Sequence, residues 1–181
     1  MADRSRIIVD ANKRKLPTGD LYGIFFEDIN HAADGGLYAE MIQNRSFEFS
    51  PIENRSYNNM TAWQIVDRDG GRAEGYIESE YPLNVNNTHY FRIRNISEGA
   101  VGAVGVMNEG YNTGLPLRAG ATYKFSMFAR RDINLKSPVE IILESIDGKR
   151  LGGDEIVVDS PEWKKYEATL TSSAEDFSGR L

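Results

Sequence analysis

From residue 46 onward, apolar and polar side chains alternate in short runs broken by turn residues, a period of two that suits strands and that no helix can bury. Tyr123, Phe125, Met127 and Ala129 share one face of such a run, and Lys124, Ser126 and Arg130 lie on the other. Phe91 and Ile93 alternate in the same way with Tyr90, Arg92 and Arg94. The pattern predicts strands near 62–66, 72–78, 88–94, 100–107, 121–130, 138–146, 154–158 and 162–171. Asp147-Gly148 sits between two alternating runs as a hairpin turn signal, and Asn108-Glu109-Gly110 suggests another turn. Many short strands at regular spacing predict a mainly-β fold, an antiparallel β-sandwich of jelly-roll type.

The first 45 residues have a different character. Arg6-Ile7-Ile8-Val9-Asp10-Ala11 reads as a short strand, followed by basic and turn residues. Leu21-Tyr22-Gly23-Ile24-Phe25-Phe26-Glu27 is a nearly continuous apolar run, as in strands buried on both faces of a parallel sheet. In the segment 35–44, Leu37 and Met41, and Tyr38 and Ile42, then fall at helical spacing. Strand, loop and helix make one β/α unit, which cannot close a core alone. The division expected is 1–45 for this incomplete unit and 46–181 for the sandwich.

Charge and composition remove several classes of function. A formal net charge of −6 with no dense basic cluster argues against a nucleic-acid partner. Without cysteine there is no disulfide and no zinc–thiolate site. No apolar run is long enough to span a membrane, and no signal-peptide core follows Met1. As written the chain reads as cytoplasmic, or as secreted if a signal was removed. Five Asn-x-Ser/Thr sequons begin at Asn44, Asn54, Asn59, Asn86 and Asn95; without a secretory signal they read as chance in an Asn-rich chain.

The run from Leu21-Tyr22-Gly23-Ile24-Phe25-Phe26-Glu27-Asp28-Ile29-Asn30-His31 through Gly35-Gly36-Leu37-Tyr38-Ala39-Glu40-Met41-Ile42-Gln43-Asn44-Arg45-Ser46-Phe47-Glu48 resembles the N-terminal motif of family 51 glycoside hydrolases. The resemblance implies a retaining α-L-arabinofuranosidase with a (β/α)8 barrel, acting on arabinose-containing polysaccharides such as arabinan and arabinoxylan. A second stretch, Leu117-Arg118-Ala119-Gly120-Ala121-Thr122-Tyr123-Lys124-Phe125-Ser126 to Glu162-Trp163-Lys164-Lys165-Tyr166-Glu167, is similar to a carbohydrate-binding module of the family 4/9 type. Such modules have a galactose-binding-like jelly roll, inserted in some arabinofuranosidases after the first barrel unit. The expected departures are the later barrel strands and the module's final strands. The remainder of the barrel is then an implied partner, and unpaired strand edges invite self-association.

Retaining glycosidases place an acid/base and a nucleophile about 5–5.5 Å apart. The family's two glutamates lie on later barrel strands, and no motif here matches them, so no catalytic residue is assigned. Glu27 ends a buried apolar run where a barrel builds its active-site face. The resemblance gives it a hydrogen bond to arabinose hydroxyls, whereas composition alone would allow a charge placed where solvent begins. Asp28, Asn30 and Asp34 shape the same rim or serve as caps and turns. His31 reads as a loop-packing residue and His89 as an ordinary strand residue.

Trp63, Tyr76, Tyr81, Tyr90, Tyr111 and Trp163 are the aromatics that would stack on sugar; Trp63 and Trp163 read as core or strand edge. No cofactor is implied apart from a structural calcium, to which the resemblance assigns Glu48 as part of a ligand set completed by a missing strand. Three readings stand: an arabinofuranosidase fragment, a non-catalytic carbohydrate-binding module, or a purely structural insert.

Overall fold

The structure is a computed structural model that describes residues 31, 33, 36–97, 102–135 and 138–181. Among the described residues there are ten strands and no helix. They are β1 (Trp63–Arg68), β2 (Ala73–Glu78), β3 (Tyr90–Asn95), β4 (Ala103–Asn108), β5 (Leu115–Leu117), β6 (Thr122–Ala129), β7 (Val139–Glu144), β8 (Arg150–Ile156), β9 (Lys164–Thr171) and β10 (Asp176–Gly179). All pairing is antiparallel and nested. β2 pairs with β3 inside the β1–β4 pair, and β7–β8 lies inside β6–β9, which lies inside β5–β10.

The period-two pattern accounts for most of this. Along β6 exposure alternates residue by residue, with Tyr123, Phe125, Met127 and Ala129 turned onto the core. That core holds Leu115, Leu117, Ile141, Leu143, Leu151, Ile156, Val158, Tyr166 and Leu170. Leu117, Leu143 and Leu170 are fully buried, each stabilising the fold by about 1.5–3 kcal/mol relative to exposure. The turn at Asp147-Gly148 forms as expected: Gly148 has φ +78°, donates to Ser145 O at 2.9 Å, and joins β7 to β8.

Four features depart from the pattern. The strand expected at 154–158 runs earlier, over β8, through Gly152 and Gly153. A Cβ at Gly152 would overlap the Thr171 carbonyl oxygen of neighbouring β9, so close backbone approach hides the alternation there. β5 and β10 carry little alternation because they are only three and four residues long. The turn at Gly110 forms (φ +69°, its N–H on Asn108 Oδ1 at 2.9 Å), but it leads to β5, which pairs with β10.

The helix expected over 35–44 is absent from its described residues, 36–44, which form turns and extended chain. Met41 and Ile42, adjacent in sequence, both pack on the sandwich core, while Leu37 is 86% exposed. A single short helix is marginal without a packed face, and Gly35-Gly36 weakens its start. The runs 6–11 and 21–27 lie outside the described residues. Near the C-terminus the chain is stitched in rather than left as an open edge. Arg180 exchanges backbone hydrogen bonds with Glu144 (2.8 and 2.9 Å), and Leu181 with Asn108 (2.7 and 3.3 Å).

Candidate functional site

Two adjoining strands build a polar, aromatic face. Because side chains alternate across a strand, the β2–β3 register puts Glu74 opposite Arg94, Tyr76 opposite Arg92 and Glu78 opposite Tyr90, all on one side. The other side carries Gly75, Ile77, Phe91 and Ile93, and Gly75 is a glycine because the Phe91 ring and Ile65 lie directly over it. Tyr76 Oη donates to Glu74 Oε2 at 2.8 Å, which holds the phenol above its usual pKa. Arg92 Nη1 stands 3.4 Å from Glu78 Oε1.

At one end of this face three aromatic rings gather around Arg130. Its guanidinium carbon lies 5.1 Å from the Tyr90 ring centre, 5.3 Å from Trp163 and 5.9 Å from Tyr81. Tyr90 and Trp163 meet edge to face at 5.1 Å. Hydrogen bonds fix the group: Arg130 Nη2 donates to Tyr90 Oη (2.7 Å), Tyr90 Oη to Glu80 O (2.9 Å), and Trp163 Nε1 to Tyr81 O (2.9 Å). Tyr81 itself is 77% exposed, with φ +57°. Such a group offers flat apolar faces beside unsatisfied N–H donors, the combination that grips a sugar ring and its oxygens.

Other residues singled out from sequence are dispersed. Glu27, Asp28, Asn30 and Asp34 lie outside the described residues. His31 packs against Tyr111, ring centres 4.9 Å apart. Trp63 is partly buried, its ring 5.0 Å from Phe47 and its Nε1 donating to Asn44 O. Trp163, expected in the core or at a strand edge, belongs instead to the Arg130 group. Nothing local signals that group, because residues 81 and 163 meet only through the fold.

Glu48 binds the Thr88–His89 corner. Oε1 accepts the Thr88 and His89 amides (2.6 and 2.8 Å), and Oε2 lies 2.6 Å from His89 Nδ1. Burial pushes the Glu48 carboxyl up, but the His89 ring and both amides outweigh it and hold the pKa below its usual value. His89 is therefore a paired residue just before β3. Calcium takes six to eight oxygens. Glu48's partners are chiefly N–H groups, and among the described residues no three His, Cys, Asp or Glu side chains gather to hold a metal. The described residues do not fit that ion.

No family model matches the chain. It is 39% identical, over all of its 181 residues, to an extracellular exo-α-L-arabinofuranosidase of Streptomyces chartreusis. Its homologues are arabinofuranosidases. α-L-Arabinofuranosidase 1 of Arabidopsis thaliana is 34% identical over 96% of the chain. α-L-Arabinofuranosidase A of Aspergillus niger is 36% identical over 67%. The chain spans only 20% and 26% of the Streptomyces and Arabidopsis proteins. Among solved structures, an arabinose-bound GH51 α-L-arabinofuranosidase matches 88% of the chain with a TM-score of 0.69 at 27% identity, covering 25% of that protein.

Proposed function

We propose that the chain is the N-terminal part of a retaining α-L-arabinofuranosidase that removes arabinofuranosyl groups from arabinan and arabinoxylan. The observation that carries this is the 39% identity to the Streptomyces enzyme, which runs through every residue of the chain. In this reading residues 1–45 belong to the catalytic barrel, and Glu27 accepts hydrogen bonds from arabinose hydroxyls. Residues 46–181 form a galactose-binding-like jelly roll of the family 4/9 type. The nested antiparallel pairing supports that assignment, since hairpins enclosed within hairpins are what a rolled double sheet requires. The Tyr81, Tyr90, Arg130 and Trp163 group supports carbohydrate binding by the sandwich.

Both catalytic glutamates belong to the rest of the barrel, so the full-length protein, and not the 181-residue chain, should hydrolyse an aryl α-L-arabinofuranoside with retention. In the full-length protein Glu27→Gln should lower kcat/KM at least tenfold, because a charged acceptor contributes about 1.5–3 kcal/mol. A full-length protein inactive on that substrate would sink the proposal; a normal Glu27→Gln variant would remove only Glu27's part in it.

A further inference from the structure

The β2–β3 face carries more positive charge than its own acids neutralise. Glu78 is engaged by Arg92 and Glu74 by Tyr76, and Glu80 meets Arg130 and Tyr90 through its backbone carbonyl. Among the described residues, Arg94 and Arg130 come within 4.0 Å of no carboxylate. That is unexpected in a chain with 27 acids and 21 basic residues, where an exposed arginine readily finds a partner. Tyr90, Arg92 and Arg94 recur every second residue on β3, so the guanidiniums and rings form a strip rather than a point. Tyr76, 49% exposed, stands beside Arg92, and Tyr81 closes the far end over Arg130.

Guanidinium is a planar fork that matches a carboxylate with two parallel hydrogen bonds and stacks on aromatic faces at the same time. Arg130 already has its plane set by three rings and one donor fixed on Tyr90, so little freedom remains to be lost when a carboxylate takes the others. A neutral sugar would use the rings and leave this charge unanswered. From this strip of arginines and tyrosines we infer that the sandwich binds acidic polysaccharide: a chain bearing uronate carboxylates, read by Arg130 with Arg94, and stacked on Tyr81 and Tyr76. The inference rests on the carbohydrate-binding reading above and adds the charge of the ligand.

Affinity electrophoresis of the 181-residue chain tests it, with polygalacturonate, its methyl ester and linear arabinan as probes. The ester keeps the backbone and removes the charge. Retardation at least tenfold stronger by polygalacturonate than by its ester is expected. Arg130→Met, which keeps the aliphatic stem, should abolish that preference. Tyr81→Ala alters a mostly exposed side chain, leaves the core intact, and should weaken retardation by polygalacturonate severalfold. Equal retardation by acid and ester would overturn the uronate assignment while leaving carbohydrate binding in place. No retardation by any glycan would overturn both. Equal retardation by polygalacturonate and single-stranded DNA would overturn it as well, by showing a general polyanion surface.

Discussion

Arg68 on β1 grips Glu144 on β7 with both guanidinium nitrogens, Nη2 lying 2.7 Å from Oε2 and Nη1 on Oε1. The pair joins the β1–β4 unit to the unit built around β7, and Glu144 is locked again through its backbone exchange with Arg180. The two partners are unequally placed. The Glu144 side chain is 8% exposed and that of Arg68 41%. Arg68→Ala would strand a buried carboxylate, at a cost of about 3–5 kcal/mol, whereas Glu144→Gln leaves an arginine that reaches water, at about 1–2 kcal/mol. Urea unfolding of both variants checks the asymmetry; equal losses would show that the carboxylate is hydrated after all.

Glu48 gives the fold a pH dependence on the acid side. Its folded pKa is lowered, so its contribution is fully present above the unfolded carboxyl value of about 4.3 and is lost as pH falls through the folded value. Below pH ~4.3 the Tm of the wild-type chain should therefore fall more steeply than that of Glu48→Gln. Superimposable slopes between pH 6 and 3 would remove Glu48 from the acid response.

Asn44 ties the stretch before the sandwich to β1. It is buried with φ +53°, donates Nδ2 to the Asn59 and Thr61 carbonyls (2.9 and 3.0 Å), and accepts the Phe49 amide. Asn44→Ala loses these bonds and also places a Cβ in the left-handed region; Asn44→Gly loses only the bonds. The alanine variant should be less stable than the glycine variant by about 1 kcal/mol. Both should show faster amide exchange at Phe49, whose N–H loses its acceptor. If alanine proved the more stable, the backbone there would not hold the left-handed conformation.

Two glycines in strands should respond oppositely to alanine. At Gly105 in β4 a Cβ meets nothing within 4 Å, so Gly105→Ala should be neutral or stabilising by up to about 1 kcal/mol through the unfolded chain. At Gly152 the new methyl would overlap Thr171 O and force β8 away from β9, with a loss of about 1–3 kcal/mol. Thermal unfolding of the two variants is sufficient; a tolerated Gly152→Ala would mean that β8 and β9 are not in close contact at that point.

The amino-acid order by itself determined which stretches are strands, wherever the pleat's period of two was carried by side chains. β6 is legible from Tyr123, Phe125 and Met127, and the β7–β8 turn from Asp147-Gly148, because both signals are local. Gly152 and Gly153 have no side chain to alternate, and Leu115–Leu117 is too short to show a period, so β8's start and β5 emerged only with their neighbours in place. Met41 and Ile42 had helical spacing, yet tertiary packing on the sandwich core decided their conformation, since a lone helical turn lacks the burial that stabilises it. The aromatic group around Arg130 lay furthest from view. Tyr81, Tyr90, Arg130 and Trp163 are separated by up to 82 residues, and only the antiparallel return of β6 and β9 beside β3 brings their rings around one guanidinium.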